Sequence, residues 1–300
     1  MLEIRDKVYS FSKDHKPCAH AKPGDLIEFN TLDCFSGKLS DESVTMKDMD
    51  FSYNITNPAA GPVYVEGAMP GDILEVSVLS IDLDSEGTIA TDDHCGPLYE
   101  NTDYKTKKVP IKDGKAYFND ISFPIKPMIG VMGIAPKEGD IACGFVGDHG
   151  GNMDNKLIGA HSRVYFPVQV EGALLQMGDV HAAMGDAELC GTGIEIGAKI
   201  LVKISLIKGQ ELHWPVLETE DKWYVNASAQ EFDESLMNAS KEMQRLLMKA
   251  TGWSAVDTYM YMSVQCDVEL NQACKPCEVQ LSLRIGAPKH PQIKPLISRP

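Results

Sequence analysis

Between Gly147 and Glu195 the chain reads GDHGGNMDNKLIGAHSRVYFPVQVEGALLQMGDVHAAMGDAELCGTGIE. Its middle, RVYFPVQVEGALLQ (Arg163 to Gln176), is rich in Val, Phe, Tyr and Leu and is broken near Gly172, the pattern of two short buried strands. On one side lies GDHGGNMD, with His149, Asn152 and Asp154; on the other lies GDVHAAMGDAELCGTGIE, with Asp179, His181, Asp186, Glu188 and Glu195. A strand pair of this kind returns the chain on itself, so the two polar clusters are expected at neighbouring strand ends. Asp, Asn and Gly also make turns, and turn chemistry alone accounts for most letters of either cluster. Turns, however, do not need imidazoles, and each cluster carries one.

Working outward, four short turns each head a strand-like run. KPGD (Lys22 to Asp25) precedes LIEFNTLDC, MPGD (Met69 to Asp72) precedes ILEVSVLSIDL, KEGD (Lys137 to Asp140) precedes IACGFVG, and QMGD (Gln176 to Asp179) precedes VHAAMGD. Their uneven spacing suggests related β units rather than a solenoid. With 25 Gly and 17 Pro the chain is rich in turns. The fold expected is mainly β, a body of related β units over residues 1–230, with a smaller α+β segment over 231–300 packed on it. That segment holds the clearest helix, DESLMNASKEMQRLLMKAT (233 to 251), with Asp233 or Ser235 as N-cap and Gly252 just past its end. Ser254 caps a second helical stretch, and CDVELNQ and CEVQLSLRI alternate as strands. Asn57 to Pro62 (NPAAGP) reads as a rigid loop of the kind that borders a pocket.

The 28 basic and 43 acidic residues give a formal charge of -15, which disfavours phosphate backbones and anionic lipid surfaces. Nucleic acid and membrane are therefore not expected as partners. No signal-like start and no run of 18 apolar residues occurs, so a cytoplasmic protein is expected. The eight scattered cysteines fit reduced thiols better than a disulfide framework. Cys274 and Cys277 have C-x-x-C spacing without a second such pair.

The chemistry such clusters support is metal-assisted hydrolysis. Two or three His and carboxylate ligands with an open position lower the pKa of water and polarise a carbonyl, and a further carboxylate moves the proton. His149, Asp154 and His181 are the expected ligands, Glu188 the general base, and Asp186 a carboxylate orienting a His ligand. Gly150 and Gly151 would let backbone N–H groups approach a developing oxyanion. His94, in the polar loop TDDHCGPLYE, is a candidate for contact with substrate. Two alternatives stand beside this reading: a calcium-holding β module without catalysis, and a cysteine nucleophile, Cys143 or Cys190, beside a histidine.

The motifs NPAAGPVYVEGAMPGDIL (Asn57 to Leu74), HGGNMD (His149 to Asp154), YFPVQVEGALLQMGDVHAAMGDAELCGTGIE (Tyr165 to Glu195) and SAVDTYMYMS (Ser254 to Ser263), in this order, resemble the acetamidase/formamidase family. The resemblance implies a β-sandwich or barrel body with a smaller α+β part, hydrolysis of the C–N bond of small linear amides with release of ammonia, a divalent metal, zinc or calcium, and a homo-oligomer, a dimer or larger. It carries the family's polar positions onto His149, Asn152, Asp154, Asp179, His181, Asp186 and Glu188, with Asn152 among the catalytic residues and Asp179 at the substrate. Ala187, where the family more often has Gly, and Asp148 depart from its pattern.

Overall fold

The computed structural model describes residues 1–49 and 51–299. Its first sheet is built on Ala198–Ile207, where Ala198, Ile200, Val202 and Ile204 are buried while Lys199 and Lys203 point outward. A strand's side chains alternate between faces, so this sequence gives the sheet one apolar side. Leu26–Thr31 pairs with it antiparallel on one edge and Ile73–Leu83 on the other. The nine-stranded sheet continues through Arg163–Pro167, Val216–Glu218 and Lys222–Ala229 to Leu281–Pro288 and Asp267–Gln272. Strands from both sides of residue 230 thus share one sheet.

A twelve-stranded sheet faces it. Ile27, Phe29, Leu74, Val76, Ile200 and Val202 of the first sheet meet Val63, Ile129, Met132, Leu175, Val180 and Ile196 of the second in one buried core. This is a β-sandwich, as the family resemblance implied, and the apolar middle of the opening stretch supplies two of its buried strands. That middle forms Arg163–Pro167 in one sheet and Leu175–His181 in the other, so the chain crosses the sandwich between them. QMGD is not a turn: it lies inside the fully buried strand Leu175–His181, because its neighbours pair on both sides. Likewise NPAAGP is only partly a loop, since Ala59–Val65 is a strand paired with Leu175–His181.

The helix spans Phe232–Thr251 and turns Ala239, Met243, Leu246 and Leu247 onto Trp223, Val225, Leu283 and Ile285. Its N-cap is Glu231, and Ser235 is instead buried, its hydroxyl donating to the Leu281 carbonyl at 3.3 Å. Gly252 ends it at φ 76°, a left-handed conformation that glycine adopts without strain. Ser254 caps Ala255–Gln265 by accepting from the Asp257 N–H at 3.1 Å. Neither helix is long and apolar enough to cross a membrane.

A buried carboxylate and histidine cluster as candidate active site

Strand Met128–Gly133 organises the site. It pairs with Leu175–His181 on one side and with Gly150–Asn152 on the other, and the Gly130 carbonyl accepts from the N–H groups of Met153 and Asp154 at 3.0 and 3.2 Å. Asp154 is thereby set beside Asp179 and His181. His181 in turn pairs with Glu195 on the next strand. The loop carrying Glu188 is tied down from the far end of the chain: Ala187 donates to the Asn271 carbonyl and accepts from the Ala273 N–H, both at 2.9 Å.

These contacts gather four carboxylates around one imidazole. His181 Nε2 lies 3.1 Å from Glu195 Oε1, 3.6 Å from Asp179 Oδ1, 3.9 Å from Asp154 Oδ1 and 4.0 Å from Glu188 Oε1. All five residues are buried. Gln272 Nε2 donates to Asp154 Oδ2 at 2.6 Å and to Glu188 Oε2 at 2.8 Å, while Asn57 Nδ2 donates to Asp179 Oδ2 at 3.0 Å and Asn152 Oδ1 at 3.3 Å. Asn57, Asp154, Asp179 and Glu188 all adopt positive φ. Such strained backbone persists only where the surroundings enforce it, and it concentrates at functional sites.

Burial, followed by the neighbouring charges, decides the protonation of the cluster. Burial first and Glu188 second push the Asp154 carboxyl well above its usual range, burial and Glu195 push Asp179 up to about 6, and burial pushes Glu188 up to about 7. Burial opposes a charge on His181, but Glu195 and Asp179 outweigh it and hold the imidazole well above its ordinary value. Among the described residues, Asp154 Oδ1, Glu195 Oε2 and both His181 ring nitrogens nevertheless lack a hydrogen-bond partner. Buried polar atoms are ordinarily satisfied, so these orphaned atoms fit an additional ligand. The donor atoms of Asp154, His181 and Glu188 lie within 4.8 Å of one another, and so do those of Cys34, Asp179 and Glu195.

A cavity of about 40 Å³, bordered by Asn57, Asn152, Asp154, Asp179, Glu188 and Glu195, opens at this cluster. Beyond it, a wider vestibule of about 580 Å³ shares Met46, Phe51, Tyr53 and Asp92 with its wall. His94 stands in that vestibule with its side chain 83% exposed and paired with Asp93, at the way in rather than at the cluster.

The remaining expected residues lie elsewhere. His149 is fully buried but points away, its ring edge-on to Phe11 at 5.0 Å and close to Gly147 and Gly151, because the two positive-φ glycines after it turn the strand. Gly150 and Gly151 are enclosed in the pairing with Met128–Gly133 and Val146–Gly147 and do not face the cavity. Asp186 bonds the buried Arg284 guanidinium at 2.9 and 3.0 Å and Lys156 at 2.7 Å, and these cations hold its carboxyl below the usual range despite partial burial. It orients no histidine. Cys143 is buried beside Phe11, Ala59 and Val131, outside the residues that border the cavity, and burial pushes its thiol up, which disfavours the thiolate. Asn57, Glu195, Gln272 and Cys34 join the site without having been given a role in it. Glu195, inside the opening stretch, and Asn57, in the loop read as bordering a pocket, had local signals, whereas Gln272 and Cys34 had none.

His149 leads to a stability prediction. Burial alone lowers its pKa from 6.5 to about 4. With the folded value depressed, stability is complete above pH 6.5 and is lost as the unfolded chain takes up a proton between pH 6.5 and about 4. The loss reaches about 3 kcal/mol at the lower end. Urea unfolding at several pH values is expected to show a shallower acid slope for His149→Leu, which cannot titrate, than for the wild type; parallel slopes would refute this.

Residues 7–140 and 146–283 match the Acetamidase/Formamidase family. Among solved structures, a predicted acetamidase/formamidase from Thermoanaerobacter tengcongensis superposes with a TM-score of 0.91 and 40% identity, covering 96% of this chain and 94% of that one. An acetamidase from Bacillus halodurans follows at 0.90 and 35%, covering 96% of each. A formamidase of Methylophilus methylotrophus is 28% identical over 253 residues, 63% of this chain and 61% of its own. The chain spans less than two thirds of the length of the curated relatives it matches. The family match covers strands of both sheets and the positions of Asp154, Asp179, His181 and Gln272. The chain therefore belongs to the acetamidase/formamidase family.

Proposed function

We propose that this chain hydrolyses the C–N bond of a small linear amide, releasing ammonia and a carboxylate. The observation that carries this reading is the buried set of four carboxylates around His181, all four of them bordering a small cavity. A cavity of about 40 Å³ is narrow and suits a small substrate rather than a long one. The names of the matched relatives point to the same substrates.

The donor set fits a divalent cation. Four carboxylates exceed the charge one imidazolium can neutralise, and Asp154 Oδ1 and His181 Nε2 lack other partners. We assign Asp154, His181 and Glu188 to holding it, with His149 outside the set. The imidazole favours zinc or a similar transition ion over calcium. Such an ion would polarise the amide carbonyl and acidify water.

The remaining steps fall to the chain's own residues. Glu195 Oε1 accepts from the Gly193 N–H at 2.9 Å, which leaves Oε2 without a partner. A carboxylate fixed by one oxygen and free at the other can take a proton from attacking water and return it to the departing nitrogen. We therefore give Glu195 the proton-transfer role, since Glu188 lies among the cation-holding donors. Gln272 and Asn57 hold three of the carboxylates in place, and the narrow cavity keeps bulk water out.

The test is ammonia release from formamide, acetamide and longer amides, before and after chelation, with metal quantified on the same sample. Release that is lost on chelation and falls with acyl length supports the reading. No release from any amide by protein holding stoichiometric metal would overturn it.

A further inference from the structure

We propose that Cys95, Cys274 and Cys277 form a separate site for a thiophilic cation of the zinc type, placed where the inner cavity meets the vestibule. In the sequence the C-x-x-C pair stands alone. The fold supplies a third sulfur from far upstream, because the Gly96 N–H donates to the Cys274 carbonyl at 2.7 Å and draws the two segments together. All three side chains are buried, and their sulfurs lie within 4.8 Å of one another.

The spacing suits a shared ion. Sulfurs about 2.3 Å from one tetrahedral ion stand about 3.7 Å apart. Here Cys274 Sγ and Cys277 Sγ are 3.2 Å apart and the whole group stays within 4.8 Å, so the observed range brackets that separation. Lys275 supports the turn, its Nζ donating to the carbonyls of Cys277 at 3.5 Å and Val279 at 2.6 Å, and it brings a positive charge close to the sulfurs. Close packing of Gly191 fixes Cys95 from the other side, since a Cβ there would stand 2.2 Å from its sulfur.

Three thiolates leave one position open, unlike a closed four-ligand structural site. Cys95 and Cys274 border the inner cavity and Cys277 the vestibule, so the open position lies along the way in. The Tyr53 hydroxyl, 4.0 Å from Cys95 Sγ, borders both spaces and is placed to approach it. An ion there would cross-link the loop around Cys95 to the segment around Cys274, two walls of the entrance. Soft thiolates and the oxygen-rich cluster around His181 differ in ligand type, so a soft, thiophilic probe ion tells the two sites apart.

Cadmium titration of the full-length, reduced chain reads the site directly, because sulfur-to-metal charge-transfer absorption reports thiolate ligation and is silent for carboxylates and imidazole. We expect one cadmium per chain to saturate a band of three-thiolate intensity. That band should fall steeply in both Cys277→Ser and Cys95→Ser and persist in Cys34→Ser, which removes the thiol nearest the carboxylates. Circular dichroism identifies any variant that fails to fold, and the two independent serine variants keep the test decisive. Absence of the band in wild type, or a band that is kept in Cys277→Ser and lost in Cys34→Ser, would overturn the proposal. Uptake of cadmium without the band would do the same.

Discussion

His181→Ala is expected to lower kcat/KM for the accepted amide by about 10³-fold and to release the bound metal. Its Nε2 is the atom that all four carboxylates approach, between 3.1 and 4.0 Å. Without it, Asp154, Asp179, Glu188 and Glu195 face one another in a dry cavity with no cationic neighbour among them. Buried like charges do not stay ionised together, so the carboxylates take up protons and lose their affinity for a cation. An ion that polarises a carbonyl is worth several kcal/mol at the transition state, which corresponds to about three orders of magnitude. His181 is also the last residue of a buried strand paired with Met128 and Glu195. The truncation therefore costs roughly 1–3 kcal/mol of stability as well. His181→Gln keeps more bulk and separates the two effects. Steady-state kinetics, metal content and thermal unfolding on both variants check this; full turnover with the metal retained would refute the ligand assignment.

Gly130→Ala is expected to cost about 10²-fold in kcat/KM although Gly130 carries no functional group. A Cβ there would stand 2.5 Å from Asp154 Oδ1, 2.6 Å from Asp179 Oδ2 and 2.9 Å from the Asp179 carbonyl. Neither carboxylate can easily yield, because each is held at positive φ and by Gln272 or Asn57. The methyl group must displace the cluster or the strand, and misplacement by about 1 Å at a reacting centre costs on the order of 10²-fold. Overpacking adds roughly 1–3 kcal/mol of destabilisation. Gly185→Ala, in the loop leading to Glu188 and with open space around its Cβ position, is the control and should behave as wild type. Equal kinetics for the two alanine variants would show that the carboxylates are free to move aside.

Much of this site was legible in the opening stretch. Asn152, Asp154, Asp179, His181, Glu188 and Glu195 all belong to it, and its two ends do meet, although through Met128–Gly133, which pairs with both, because the two middle strands lie in different sheets. His149 and Asp186 show where that reading fails. They sit as close in sequence as their neighbours do, yet His149 turns toward Phe11 and Asp186 turns outward to Arg284. Residue type and proximity place a side chain in a neighbourhood, while backbone twist and a distant partner decide where it points.

By itself the sequence determined the elements whose signals are local. Alternation marked Ile73–Leu83 as a strand, and three- and four-residue spacing with Gly252 at its end marked Phe232–Thr251 as a helix. Only the tertiary structure decided that Gln272, Asn57 and Cys34 border the carboxylates and that Cys95 meets Cys274. Those meetings depend on sheet order and register. No run of neighbouring residues encodes them, because pairing between strands far apart in the chain is settled by the burial of the whole core.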